Sequence, residues 1–97
     1  MKMFYSVSKG RARAAVAFEG LCVVRADADD FFGGEDSQPY ESKMLRSPTW
    51  TTLFACAKAQ QKKTLDVHHM FFEGAYVVGT TQIGGQDVKV LRLSLGS

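Results

Sequence analysis

The residues with the most chemistry to offer fall in one short stretch, Asp66, His68 and His69, with Glu73 close behind. An imidazole beside a carboxylate is equipment for general acid–base work, because its ordinary pKa lies near neutrality. The same residue types could hold a metal ion, with Asp27, Asp29 and Asp30 as further donors. Two features argue against the metal. In a strand, neighbouring residues point to opposite faces, so His68 and His69 cannot easily converge on one ion. No further histidine exists, and neither Cys22 nor Cys56 has a partner at ligand spacing. No metal or other cofactor is expected. An acid–base pairing of one histidine with Asp66 or Glu73 stays open. The plainer account is one hydrogen-bonded, partly buried imidazole beside one facing solvent or an interface.

Other motifs are weaker. Cys22 and Cys56 sit in apolar company, Leu-Cys-Val-Val and Phe-Ala-Cys-Ala, and read as buried free thiols rather than nucleophiles or a disulfide. The run from Asp27 to Asp30 resembles the start of a calcium loop. Phe32 and Gln38, however, stand where that loop needs glycine and glutamate. Gly33-Gly34 and Gly84-Gly85 lack phosphate-loop spacing. Lys9, Arg11, Arg13 and Arg25, interleaved with Tyr5, could share a surface for single-stranded nucleic acid. A net charge of +2 gives that reading little field, and nucleic acid ranks third among the functions considered.

Charge is nonetheless unevenly placed. Residues 1–25 carry +4, residues 26–42 carry −6 with no base, and residues 43–97 carry +4. The 97 residues make one domain, 1–97, of ordinary globular composition. With no apolar run of membrane-spanning length and no leader-like start, a cytoplasmic location without membrane contact is expected.

The elements that must position these residues follow from periodicity and glycine. Glycine tolerates the positive φ of tight turns, and Lys9-Gly10, Glu19-Gly20, Glu73-Gly74 and Gly84-Gly85 punctuate alternating apolar runs. Strands are expected near 3–8, 11–18, 21–26, 66–72, 75–82 and 87–95. The run 11–18 is alanine-rich and would also suit a helix; the strand is preferred because turns flank it. Trp50, Leu53, Phe54 and Ala57 follow helical spacing after Ser47, an N-cap type, and Pro48, so a helix is expected over 48–62. The acidic stretch 27–46 has no period and reads as a long loop, with a short helical turn conceivable at 28–32. Phe18–Val24 and Phe72–Val78 match at five of seven positions, as if one hairpin turn were used twice.

The expected fold is α+β: an antiparallel sheet of about five or six strands in two meanders (βββ-α-βββ), with one main helix on one face. In the run from Val67 to Phe72, Val67 and Phe71 face one way and Met70 and Phe72 the other, so the strand needs cover on both sides. One helix covers one. Met70, Phe71, Phe72, Tyr76, Trp50, Leu53 and Phe54 are therefore assigned to core or interface. A second copy of the chain is the expected cover, which makes a non-enzymatic, homodimeric interaction module the leading function. The alternative is a small-molecule binder or cofactor-free enzyme. Its pocket would lie between the sheet and residues 27–46, lined by His68, His69, Asp66 and Tyr40.

The block Thr64–Gly74, with the closing run Val90–Ser97, resembles small uncharacterised bacterial proteins such as those carried by mobile integron cassettes. The resemblance spans about a fifth of the chain. It implies no activity, and no functional residue is carried over from it.

Overall fold

The computed structural model describes residues 2–7, 12–29 and 34–97. Along them run β1 (Phe4–Tyr5), β2 (Leu21–Ala26), a 3₁₀ turn (Gly34–Asp36), β3 (Tyr40–Glu41), β4 (Leu45–Arg46), α1 (Trp50–Thr64), β5 (Phe71–Ile83) and β6 (Gln86–Gly96). The order is β-β-β-β-α-β-β. The strands lie in one sheet ordered β1-β5-β6-β2-β3, with β4 also on β2.

That sheet is mixed, which corrects the expected antiparallel meanders. β5 and β6 form an antiparallel hairpin, and β3 and β4 run antiparallel to β2. β1, however, runs parallel to β5, and β2 parallel to β6. Parallel neighbours need a long crossover between them. Here the crossover includes the acidic stretch and α1. The stretch 27–46 is thus not an aperiodic loop, because it adds two short strands to the sheet margin. It is pinned to the end of α1 as well. The amide of Gln38 donates to the Lys63 carbonyl at 3.0 Å, and the Ser37 hydroxyl to the Thr64 carbonyl at 2.6 Å. Residues 28 and 29 are not helical; the rest of the conceivable turn at 28–32 lies outside the described residues.

α1 starts and ends two residues later than expected. Its N-cap is Thr49, whose hydroxyl accepts from the Thr52 amide at 3.2 Å. Ser47 is engaged elsewhere. At φ +44 it exchanges bonds with Gly20, its amide donating to the Gly20 carbonyl and its hydroxyl accepting from the Gly20 amide.

The expected strand 11–18 does not form among its described residues. Residues 12–18 make turns and bends, with one isolated bridge between Val16 and Thr49. Alanine is a poor strand former, and this backbone has another use. The Ala15 and Arg13 carbonyls accept from the amides of Trp50 and Thr51, two donors that the first turn of a helix leaves without internal partners.

The second surprise is β5. One continuous strand, Phe71–Ile83, replaces the two expected at 66–72 and 75–82. Glu73-Gly74 is no hairpin turn; the pairing with β6 shifts register there, as it does again between Val77 and Gly79. The repeated motif therefore takes two backbone forms: Gly20 sits at φ +84 ahead of β2, whereas Gly74 lies within a strand. The true hairpin is at Gly84-Gly85, with φ values of +60 and +79, the paired positive angles that a two-residue primed turn demands.

The core lies between the sheet and α1. Cys22, Val24, Leu45, Phe72 and Leu91 pack against Trp50, Leu53, Cys56 and Ala57. Phe54 packs at its margin, stacked on Phe72 at 6.0 Å. A smaller cluster of Val23, Val88 and Val90, with Leu21 and Ile83, occupies the reverse face.

Phe72 is fully buried at the centre of the main cluster. Phe72→Ala should lower unfolding free energy by about 3–5 kcal/mol in urea titrations. A loss under about 1 kcal/mol would contradict this packing.

Candidate functional site

The chain leaves α1 through Leu65, in the left-handed conformation at φ 57, and enters a tight turn built on Asp66. Asp66 Oδ1 accepts from the backbone amides of His68 at 2.9 Å and His69 at 3.1 Å. Its Oδ2 pairs with Nδ1 of His69 at 2.8 Å. Burial alone would raise the Asp66 pKa, but these three hydrogen bonds favour the carboxylate and bring it below its ordinary value. His69 is half-buried, and its carbonyl accepts from the Gln61 side chain at 3.4 Å. His68 is exposed, its ring edge-on to His69 at 6.0 Å. Both imidazoles lie in a turn rather than in a strand, so the face-alternation argument does not apply to them. Among the described residues, no three His, Cys, Asp or Glu side chains gather to hold an ion.

Chemically, Asp66 orients the His69 ring much as the carboxylate of a general-base dyad would. Its other oxygen closes the turn into β5. Neither cleft described below is lined by Asp66, His68 or His69.

Tyr40 is elsewhere. It lines a cleft of about 430 Å³ with Ser42, Lys43, Thr51, Thr52 and Cys56. This cleft lies between α1 and the sheet margin formed by β3 and β4, and it does not bring Tyr40 to the histidines. Burial pushes up both the Tyr40 phenol and the Cys56 thiol, which are hydrogen-bonded to each other. Cys22 is likewise raised by burial. Protonated thiols are poor nucleophiles. The first amides of α1 do not offer an anion site here, because Trp50, Thr51, Thr52 and Leu53 all donate within the chain.

The basic residues are also dispersed. The Arg13 guanidinium lies 4.2 Å from the centre of the Tyr5 ring, while Arg25 pairs with Glu41 at 2.5 Å. Lys9 and Arg11 lie outside the described residues, as do Asp30, Phe31 and Phe32. Of the residues assigned to core or interface, Trp50, Leu53 and Phe72 are buried, Phe54 and Phe71 half-buried, and Met70 and Tyr76 exposed.

Two surface features escaped the sequence reading. One is a lysine-lined cleft that joins residues 2–4 to α1. The spacing of Lys58 and Lys62 was a signal for it, but nothing local placed Lys2 beside them. The other is the outer margin of β5, hidden by the assumption of a hairpin turn at Gly74. Comparison with protein-family models, curated proteins and solved structures finds no match.

Because the Asp66 pKa is lowered in the folded state, its contribution to stability is complete above the unfolded value near 4. It is lost as pH falls through the folded value. Asp66→Asn should therefore cost about 1 kcal/mol at pH 7 and progressively less below pH 4. Urea titrations across that range would read the difference. An equal cost at pH 7 and pH 2 would contradict the assignment.

Proposed function

We propose that this chain is a non-enzymatic interaction module that pairs with a second copy of itself along the outer margin of β5. The observation that carries the proposal is the character of that margin. β1 pairs with β5 only at Phe71 and Phe72. Among the described residues, no strand covers the rest of that edge. From Gly74 to Ile83 the strand contains no charged residue and no proline. Tyr76, Val77 and Val78 stand there 52%, 44% and 51% exposed.

An unpaired strand edge exposes amides and carbonyls ready to bond another strand, and proteins usually shield such edges with lysine, proline or bulges. Here the two register shifts twist the strand, but its own residues from Gly74 to Ile83 carry no charge. A second copy is the occupant best matched to this margin. A two-fold axis sets an uncharged strand against an identical one, with no like charges opposed. A standard interface takes about 800 Å² per partner, roughly a seventh of the 5826 Å² accessible surface. The location differs from the one that the two-faced strands implied. On the reverse face Val23, Val88 and Val90 are already buried within one chain, so the surface left over is at the edge.

The alternative, a small-molecule binder or cofactor-free enzyme, keeps the Tyr40 cleft but has no imidazole in it. That is why it ranks second.

Light scattering at about 100 µM, well above the dissociation constants of standard-size interfaces, tests the proposal. Wild type should weigh twice its 10.7 kDa. Val77→Lys, at an exposed position, should give a folded monomer by circular dichroism and scattering. A wild-type monomer at that concentration would remove the proposal. A dimer indifferent to both Val77→Lys and Val78→Lys would remove the β5 margin as its seat.

A further inference from the structure

A cleft of about 340 Å³ lies between residues 2–4 and the second half of α1, lined by Lys2, Met3, Phe4, Lys58, Gln61 and Lys62. Three lysines and no acidic residue line it. Lys58 and Lys62 are four residues apart on one helix, a spacing at which like charges face and repel each other. Among the described residues, the ion pairs involve Arg25, His69 and Arg92, and none of these three lysines.

The rest of the lining, Met3, Phe4 and the amide of Gln61, is held in place. Met3 is buried at the base. Phe4 is 46% exposed, and its ring is backed by Phe71 in a stacked contact at 5.5 Å. Lys58 Nζ is steadied 4.4 Å from the centre of the Phe54 ring. The buried Gln61 side chain donates to the Lys2 carbonyl and to that of His69, both at 3.4 Å. That amide ties the first described residue to the helix, so the cleft exists before any ligand arrives. Preformed sites of mixed apolar and polar lining are the usual form of a small-molecule pocket, and this volume is at the small end of their range.

We infer that this cleft binds a small organic anion with a flat apolar body, its charged group among Lys2, Lys58 and Lys62 and its body against Phe4. An anion there offsets the repulsion among the lysines, and the exposed ring supplies a face for stacking. The inference is independent of the β5 margin.

Amide NMR titrations of the full chain with benzoate, phenyl phosphate and neutral benzamide would test it. Saturable shifts confined to residues 2–4 and 58–62 are expected with one or both anions, and the tighter of the two identifies the charged group. Benzamide should bind at least about tenfold more weakly, since it keeps the ring and loses the charge. Lys58→Gln with Lys62→Gln should weaken anion binding by about tenfold or more and leave the remaining spectrum unchanged. These lysines are exposed, so the fold should tolerate both substitutions. Benzamide binding as tightly as the anions, shifts that fail to saturate or map elsewhere, or a double variant that binds like wild type would each overturn the inference.

Discussion

The ring of Phe72 lies where three elements meet. Tyr5 of β1 approaches it edge-on at 5.8 Å, and Trp50 and Phe54 of α1 lie 6.3 and 6.0 Å away. Burying an aromatic ring removes a large apolar area from water, and tilted or offset neighbours add to that. These contacts tie the N-terminal strand, the helix and the long hairpin to one another. β1 is only two residues long and its parallel pairing extends over Phe4 and Tyr5, so side-chain contacts carry much of its attachment. Residues of β1, α1 and β5 thus share one aromatic cluster around this side chain.

Much of the chain's polar chemistry is used to hold the backbone. Asp66 closes the turn into β5, Ser37 reaches the Thr64 carbonyl, and Ser47 is bonded to Gly20. The acidic stretch that separates two basic regions likewise serves structure: Glu41 pairs with Arg25 and Asp27 with Arg92. Groups that look reactive when the chain is read alone thus have structural partners once it folds. What remains for recognition is surface, and both proposed surfaces adjoin the same short segment. β1 stops pairing with β5 at Phe72, beyond which no strand among the described residues covers that margin, and residues 2–4 form one wall of the lysine cleft.

The elements that could be read from the sequence were those with strong local signals. The helix stripe of Trp50, Leu53 and Ala57 emerged on the buried face, and the Gly84-Gly85 hairpin and β2 at 21–26 formed where expected. The two thiols are free and buried. Errors came where a local pattern had two physical outcomes. Glu-Gly takes a positive-φ conformation at Gly20 but a strand with a register shift at Gly74, because β6 runs past the second site and pairs straight through it. Alternation in 12–18 was outweighed by the need of the first amides of α1 for carbonyl partners. Parallel pairing of β2 with β6 joins residues that are far apart in sequence, and no short-range feature encodes it. For the same reason Asp66 and the histidines, neighbours in the chain, lie together, whereas Tyr40, expected beside them through the 27–46 segment, lines a separate cleft.

β6 is the inner strand on which both halves of the sheet depend, with β5 on one side and β2 on the other. It is also the last element made during synthesis of this span, about sixty residues after β2 ends. Throughout that interval Cys22, Val23 and Val24 have no strand on the side that β6 will take. Until β6 is made, then, that backbone edge of β2 lacks its parallel partner. Closing the long loop makes assembly of the sheet a late step. A chain lacking Val88, Val90 and Leu91 would lose the parallel partner of β2 and the antiparallel partner of much of β5 at once.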